Sequence, residues 1–233
     1  MNFNDYKYEH LDLEKIKGDF SELIGSFEKA ENVERQIEAF DKIIKLRNHI
    51  ETMQTLVSIR HSIDTNDEFY DKENEYMDEI SPILFGFTND FYRVLVNSKF
   101  KDKLIKKYGK LLFDLAENTL KVFSNEIIPD AQEENRLSSK YSKLIASAKI
   151  DFDGKELNLS QMVPYTQSKD RKVRIEAAKK VAQFFAENQE EFDNIYDSLV
   201  KVRTKMAQKM GYKNYVEFGY KQLSRLEYDA KMV

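Results

Sequence analysis

The chain has 233 residues, of which 41% are hydrophobic and 33% are charged, and it contains only seven glycines and three prolines. This composition predicts a mainly α-helical protein of one or two domains and argues against a sheet-rich fold. The absence of cysteine excludes disulfides and thiolate metal sites, and a net charge of −4 without a basic stripe among aromatic residues argues against a nucleic-acid partner.

Neither the start of the chain nor its apolar residues indicate a membrane. The opening residues, MNFNDYKYEHLDL, lack the basic region followed by an apolar run that a secretory signal needs. No apolar stretch approaches the roughly 20 residues of a membrane span. Since a lack of cysteine is typical of reducing compartments, we expect a cytoplasmic protein with no membrane partner.

Apolar residues at helical spacing predict two helices near the start of the chain. The first covers Leu13–Phe27, and the second, capped by Asn32, covers Val33–Ile63. Arg47 and Arg60 interrupt the apolar stripe of the second helix. This helix is therefore amphipathic, but it lacks the unbroken seam of a coiled coil.

A third helix is predicted directly after the second. Thr65 and Glu68 have the spacing of a capping box, and apolar residues then recur in helical period. Pro82 lies inside this helix and should kink or split it near Ile80. Because the connection between the second and third helices is short, we expect a long antiparallel helical hairpin over Val33–Asn97.

The middle of the chain combines two predicted helices with the one predicted β element. Leu112–Phe123 has a helical period, and Asp130 is a suitable cap for a further helix over residues 130–145. Apolar residues then alternate on both sides of Asp153–Gly154, a dipeptide that favours a tight hairpin turn. We therefore expect one small β-hairpin between residues 150 and 159.

The last third of the chain is predicted to be helical. Ser168 can cap a very long helix that continues to Met210, and Gly211 then ends it in the left-handed conformation. Asn214 starts another helix. Asp229 is again a good N-cap, yet only four residues follow it. Because one isolated turn gains little hydrogen bonding, a natural domain rarely ends one turn after such a cap.

The three histidines, His10, His49 and His61, do not form a zinc-binding motif. A helical HExxH site needs two histidines four residues apart on one face. His49 and His61 are separated by twelve positions, which places them about 120° apart around a helix. We therefore interpret each histidine as a surface residue, or as a core residue with a hydrogen-bond partner, rather than as a metal ligand.

Paired carboxylates and phosphate-binding loops give no further indication of chemistry. Glu133–Glu134 and Glu190–Glu191 are neighbours in predicted helices, so their side chains diverge by about 100° and do not converge on a substrate. The sequence contains no GxSxG, P-loop or GxGxxG motif. We predict no catalytic, cofactor-binding or metal-ligating residue in this chain.

Tyrosines concentrate near the predicted helix junction at residues 212–228. The aromatic residues of this cluster are Tyr212, Tyr215, Phe218, Tyr220 and Tyr228. Such rings pack a helix corner while their hydroxyl groups find partners, and this is the interpretation that we favour. The alternative is that they line a peptide-binding cleft.

The second half of the sequence resembles a known peptidase family. The residues that carry the likeness are Ser168, Asp170–Arg171, Val173–Arg174, Ala177–Ala178, the stretch MGYKNYVEF and the hairpin stretch FDGKELNL. In this order and spacing they resemble the oligoendopeptidase F group of zinc metallopeptidases, in the thimet-oligopeptidase superfamily. The likeness covers Leu111–Val233, and the first hundred residues share only the helical character.

The resemblance implies a division of the protein into parts. The family encloses a deep channel between helical lobes, and its catalytic half holds zinc with an HExxH helix and a downstream Glu. That half has no counterpart here, so the chain would be an inactive N-terminal part with no zinc of its own. Its partners would be short peptides and its own C-terminal catalytic half. The implied domains are a hairpin region (1–108), a lobe with the β-hairpin (109–167) and the start of the peptidase domain (168–233).

A non-enzymatic alternative is a helical scaffold that binds partners along the hairpin. This hypothesis predicts regular heptads with charge pairing along Val33–Asn97. Arg47 and Arg60 interrupt one stripe, and Pro82 interrupts the other. The peptidase interpretation is therefore favoured over the scaffold.

Overall fold

The computed structural model describes residues 3–233, apart from the side chain of Asn4. The helices are α1 (Leu13–Glu28), α2 (Val33–Ile63), α3 (Glu68–Val96), α4 (Lys101–Tyr108), α5 (Lys110–Thr119), α6 (Ile128–Ala146), α7 (Leu159–Thr166), α8 (Arg171–Glu187), α9 (Gln189–Lys209) and α10 (Tyr215–Gln222). The strands are β1 (Ile150–Phe152) and β2 (Lys155–Leu157). The predicted mainly α-helical fold with one β-hairpin is confirmed.

The chain divides into two compact units. The first contains the described residues up to Glu133 together with Arg203–Val233, and the second is Glu134–Val202. Short 3₁₀ turns at Phe3–Asp5 and Asn125–Ile127 complete the regular structure of the first unit. Within residues 3–233, no helix is both long enough and apolar enough for a membrane span.

Helices α1, α2 and α3 form the larger core of the first unit. Each begins at a side chain that accepts hydrogen bonds from first-turn backbone N–H groups, and these caps are Asp12, Asn32 and Asp67. The apolar stripes converge on a cluster of buried side chains that includes Phe20, Phe27, Ile43, Val57, Phe91 and Leu95. Burial of side chains of this size stabilises by about 1.5–3 kcal/mol each, before the entropy cost of ordering them.

Helices α2 and α3 form the predicted antiparallel hairpin. The Arg47 guanidinium donates a hydrogen bond to the Tyr92 hydroxyl at 3.1 Å, and Arg60 donates to the Tyr70 hydroxyl. The arginine nearer the start of α2 contacts the tyrosine nearer the end of α3, and the arginine nearer the end of α2 contacts the tyrosine near the start of α3. The two helices therefore run in opposite directions, as the short connection predicts.

The start of α3 differs from the prediction. The Asp67 carboxylate accepts hydrogen bonds from the backbone N–H groups of Phe69 at 3.0 Å and Tyr70 at 3.1 Å. The predicted capping box of Thr65 and Glu68 is therefore wrong, because Glu68 is already the first helical residue. The helix begins at the aspartate whose carboxylate reaches the first-turn N–H groups.

Pro82 does not split α3, although it is buried and lacks a backbone N–H. The Ser81 hydroxyl donates to the Met77 carbonyl at 2.6 Å, and the Gln132 amide donates to the Glu79 carbonyl at 2.8 Å. These side chains satisfy carbonyl groups in the turn that the proline disturbs. The predicted split is wrong, and the kink stays a prediction.

The stretch between the hairpin of α2 and α3 and helix α6 contains one more helix than predicted. Gly109, with φ of 90°, separates α4 from α5, and glycine adopts this backbone conformation without steric cost. Helix α5 ends at Thr119, so the helix predicted over Leu112–Phe123 is too long at its end. Phe123 instead packs in a second core of the first unit, together with Phe218.

Helix α6 starts earlier than predicted. It begins at Ile128, and Pro129 fits its first turn because the N–H that proline lacks has no helical partner there. The prediction of Asp130 as the N-cap is wrong, because this residue already lies inside the helix.

The predicted β-hairpin is confirmed in the second unit. Strands β1 and β2 pair antiparallel, with Ile150 opposite Leu157. Asp153 has φ of 53° and Gly154 has φ of 70°, the two positive values that a type I′ turn requires. Ile150 and Leu157 are buried in a cluster with Met162.

The very long helix predicted in the last third is interrupted, and its start is shifted. The Asp170 carboxylate accepts a hydrogen bond from the backbone N–H of Lys172 at 2.8 Å, so Asp170 rather than Ser168 caps α8. Asn188 separates α8 from α9, and its side-chain amide donates to the Phe184 carbonyl at 2.8 Å. The side chain thus ends one helix just before the next begins.

The end of α9 is as predicted. Gly211 has φ of 82°, and its N–H donates to the Gln208 carbonyl at 2.9 Å. The N–H of Tyr212 donates to the Ala207 carbonyl at 2.9 Å, which completes a Schellman motif. The Asn214 side chain then caps α10, as expected.

Candidate functional site

The structure keeps the three histidines apart and gives each its own carboxylate partner. The nitrogen–oxygen distances are 2.9, 3.9 and 3.1 Å for His10–Glu73, His49–Glu9 and His61–Asp71, respectively. His61 is buried, whereas His10 and His49 are exposed. Within residues 3–233, no three His, Asp or Glu side chains group as metal ligands do. The histidines present here therefore do not fit a zinc site.

A buried carboxylate that sequence reasoning treated only as a cap lies in the first turn of α6. Asp130 is 4% exposed, and its carboxylate contacts the ammonium groups of Lys205, at 2.7 Å, and Lys209. Burial alone would raise the pKa of this carboxyl group, but hydrogen bonds from the two lysines hold it below its ordinary value. Asp130 therefore stays ionised and fastens α6 to the end of α9.

The predicted tyrosine cluster divides into a packed part and an open part. In the packed part, Phe218 is fully buried, and the Tyr212 hydroxyl donates to the Lys121 carbonyl at 3.0 Å. The Tyr215 hydroxyl donates to the Gln222 side-chain oxygen at 2.9 Å. Burial raises the pKa of Tyr212, so its hydroxyl stays protonated. These three rings pack the helix corner, which is the interpretation that the sequence favoured.

The open part is a surface pocket that we call the tyrosine pocket, lined by Tyr220, Arg225 and Tyr228 among others. Its volume is about 730 Å³. The ring centroids of Tyr220 and Tyr228 are 6.1 Å apart in an edge-on arrangement. The Arg225 guanidinium lies 4.6 Å from the first centroid and 5.5 Å from the second, within the range of cation–π contacts.

A left-handed turn after α10 builds the tyrosine pocket. Ser224 has φ of 54°, and its N–H donates to the Lys221 carbonyl at 2.9 Å. The N–H of Arg225 donates to the Tyr220 carbonyl at 3.1 Å, in the same hydrogen-bond pattern that ends α9. The Asn118 amide of α5 also donates to the Lys221 carbonyl, at 2.7 Å, and holds this helix end in place. The turn brings the residues after α10 back beside it.

The tyrosine pocket carries charges of both signs. Its charged lining residues are Lys213, Lys221, Arg225 and Lys231, with Glu217, Glu227 and Asp229. Aromatic faces accept apolar or cationic side chains, while guanidinium and ammonium groups bind carbonyl and carboxylate oxygens. The arrangement is suited to binding an extended peptide segment.

The first half of the sequence matches a known peptidase family. Residues 3–123, just over half of the chain, match the family described as the peptidase M3 N-terminal domain. The chain belongs to this M3 family. The match covers the part of the M3 chain for which sequence reasoning found only helical character. No curated protein matches the M3 chain.

Solved peptidase structures match the M3 chain along nearly its whole length. A structure of PZ peptidase A with an inhibitor is 50% identical, with a TM-score of 0.96 over 99% of the chain. A protein described as an oligoendopeptidase F from Bacillus anthracis str. Ames is 46% identical, with a TM-score of 0.97 over 100% of the chain. A further structure described as an oligoendopeptidase F is 45% identical, with a TM-score of 0.97 over 100%. The predicted likeness to the oligoendopeptidase F group is confirmed.

The M3 chain is much shorter than these relatives. It spans 41% of the PZ peptidase A chain, 43% of the Bacillus anthracis chain and 41% of the third. The tyrosine pocket lies after the residues that match the M3 N-terminal family and within the residues that match the solved structures. The tyrosine spacing in the sequence indicates this cluster, but it does not indicate Arg225, which stands between Tyr220 and Tyr228.

Proposed function

We propose that this chain is the N-terminal, substrate-restricting part of a zinc-dependent oligoendopeptidase that hydrolyses short peptides. The observation that supports this most strongly is the 50% identity to PZ peptidase A over 99% of the chain. The likeness to proteins described as oligoendopeptidase F supports the same activity for the complete protein.

In this proposal, the zinc site lies outside these 233 residues. The histidines here are held by separate carboxylates, and the solved relatives are more than twice as long as the chain. An HExxH helix and a downstream Glu in the remaining part would hold the metal. Zinc held there would supply Lewis-acid chemistry for the attack of water on the scissile carbonyl. The chain by itself is then inactive and holds no zinc.

The contribution of this chain is to admit and orient peptides. The tyrosine pocket supplies two aromatic faces and the Arg225 guanidinium, which suit a peptide's side chains and backbone carbonyls. A channel between helical lobes would admit only short or unfolded chains. The partners are therefore short peptides and the C-terminal catalytic half, in a cytoplasmic enzyme that has no cysteine in this part.

The first test compares this chain with the complete protein. An internally quenched fluorescent peptide of about ten residues should be cleaved by the complete protein and not by the 233-residue chain, and a zinc chelator should stop the cleavage. Equilibrium dialysis with elemental analysis should find zinc bound only to the complete protein. Cleavage by this chain alone, or one tightly held zinc per chain, would overturn the proposal.

The second test addresses the tyrosine pocket in the complete protein. Arg225→Met should raise KM with little change in kcat, because it removes a contact made equally to substrate and transition state. Arg35→Met is the matched control, since Arg35 is exposed near the start of α2 and its guanidinium contacts the exposed Glu38 at 3.2 Å. Equal kinetics for both variants would contradict the role of the pocket.

A further inference from the structure

The two arginines that interrupt the apolar stripe of α2 have different structural roles. Arg60 donates hydrogen bonds to the Tyr6 carbonyl at 2.6 Å and to the Tyr70 hydroxyl. It therefore fastens the N-terminal segment to the hairpin, and its role is structural. Arg47 instead borders a pocket, and nothing in the peptidase proposal uses it.

This second pocket, which we call the Arg47 pocket, lies within the first unit and is lined by α1, α2, α3 and the end of α5. Its volume is about 310 Å³, near the lower end of the range of small-molecule sites, about 300–1,000 Å³. Its buried floor is apolar and consists of Phe20, Ile50 and Leu84. Besides Arg47, its other lining residues are the exposed aromatic Phe85, the acidic Glu51 and the polar Gln54, Ser81, Thr88, Tyr92 and Thr119.

The Arg47 guanidinium is held in place at the rim of the pocket. Its side chain is only 18% exposed. One nitrogen donates to the Tyr92 hydroxyl at 3.1 Å, and the group lies 5.2 Å from the Tyr92 ring centroid. A guanidinium carries further N–H donors beyond this one, in a fixed planar fork. The side chain therefore presents a cation whose orientation is set before any ligand arrives.

The counter-ion of Arg47 is weak. Glu51 lies one turn away on α2, with a nitrogen–oxygen distance of 3.4 Å, and its side chain is 63% exposed. A contact of this length to an exposed carboxylate contributes little, because water competes for the carboxylate and holding its side chain in place costs entropy. Arg47 thus remains a largely desolvated cation beside an apolar floor, and a ligand carboxylate would pair with it better than Glu51 does.

We propose that the Arg47 pocket binds a small molecule that joins an apolar group to a carboxylate. The carboxylate takes the guanidinium fork, whose planar geometry matches it, and the apolar group lies on the buried floor. An apolar amino acid or a dipeptide with a free α-carboxylate has this chemistry. Peptide hydrolysis releases such carboxylates. Only this suggested source of the ligand rests on the proposed function; the binding at Arg47 is argued independently of it.

Calorimetric titration of this chain tests the proposal with two probes that differ in one group. N-acetyl-L-leucine carries the carboxylate, and N-acetyl-L-leucinamide replaces it with a neutral amide. We expect the acid to bind with one molecule per chain and the amide to bind roughly tenfold more weakly or worse. Equal affinity for both probes, or no saturable binding of the acid, would overturn the proposal. No hydrolysis is measured, so failure here leaves the peptidase proposal untouched.

Variants assign the binding to Arg47 itself. Arg47→Met keeps much of the aliphatic packing and removes the cation, so the preference for the acid should disappear. Arg35→Met, an exposed arginine on the same helix, should bind both probes as the parent does.

Glu51→Gln gives an effect in the opposite direction. It removes the competing carboxylate, so it should strengthen binding of the acid by roughly two- to threefold. Its side chain is exposed, so this variant should fold even if Arg47→Met does not. Unchanged or weaker binding of the acid to Glu51→Gln would contradict the assignment of the carboxylate to Arg47.

Discussion

Replacing Asp130 with asparagine tests the buried ion cluster that joins α6 to α9. The Asp130 carboxylate contacts the ammonium groups of Lys205, at 2.7 Å, and Lys209. A hydrogen bond to a charged group contributes about 1.5–3 kcal/mol. The Lys205 side chain is 62% exposed, so water replaces most of its contact with Asp130. The contact with Lys209 therefore contributes more to the free energy of unfolding. We expect Asp130→Asn to lower the free energy of unfolding by about 2 kcal/mol.

Urea unfolding, followed by helical circular dichroism at several pH values, measures this effect. The pKa of Asp130 is lower in the folded state than its ordinary value, so folding favours the ionised form. The stabilisation is therefore fully present above about pH 4, the unfolded pKa, and is lost as the pH falls through the lower folded pKa. The difference between parent and variant should shrink over that acid range.

The control for this experiment is Lys205→Met, which should cost only about 0.5 kcal/mol because an exposed lysine loses little when its partner contact is removed. A free energy of unfolding for Asp130→Asn within about 0.5 kcal/mol of the parent at pH 7 would refute the reasoning. A difference that persists undiminished at acid pH would refute the electrostatic origin of the effect.

Three further substitutions test the turns and the second core by the same unfolding measurement. Gly154→Val should destabilise the second unit, which contains the β-hairpin, by about 1–2 kcal/mol, because a β-branched residue is strained at φ of 70°. An unchanged midpoint of urea unfolding would contradict the tight turn. Ser224→Gly should stabilise by about 0.5–1 kcal/mol, because glycine adopts φ of 54° without strain, and a loss of stability would argue against the left-handed turn there. Phe218→Ala should cost about 3–5 kcal/mol, because the ring is fully buried, and a cost near that of a surface substitution would contradict its place in the core.

The elements that were predictable from the sequence are those for which several local signals agree. The hairpin of α2 and α3 combines long apolar stripes, the Asn32 cap and a short connection. The β-hairpin combines alternating apolar residues with Asp153–Gly154 at its turn. In both cases the period and the turn chemistry specify the same structure, so tertiary contacts had nothing to override.

The errors in helix bounds fall where several neighbouring residues were equally able to start or stop a helix. Asp67 prevails over Thr65, and Asp170 prevails over Ser168, because backbone geometry selects which side chain reaches the first-turn N–H groups. Asn188 is an ordinary residue in a helical sequence, and its hydrogen bond to the preceding turn ends α8. Helix propensity and spacing cannot rank such alternatives.

The pockets were less predictable than the helices because each depends on residues or backbone states that the sequence does not mark. The tyrosine pocket needs positive φ at Ser224, a residue type that rarely adopts it. The Arg47 pocket needs the relative placement of four helices, although Arg47 itself was visible as a break in an apolar stripe. The three-part division at residues 108 and 167, and the absence of catalytic or metal-binding residues from this chain, stay predictions.

The discontinuity of the first unit has a consequence for synthesis on the ribosome. Three of its hydrogen bonds join residues 103, 91 and 79 positions apart, namely Asn118–Lys221, Tyr212–Lys121 and Lys209–Asp130. The whole second unit lies between these partners in the sequence. A loop of that length adds little entropy cost at equilibrium, because the cost grows only with the logarithm of loop length.

Although the free-energy cost of closing this loop is small, the delay during synthesis is long. At the usual rate of about 5–20 residues per second, roughly 100 residues must be made after Phe123 before Phe218 can cover it. Phe85 of α3 already packs against Phe123, but the nascent chain lacks the α9 and α10 side of this core for roughly 5–20 s, and in that interval the uncovered apolar surface is available to a chaperone.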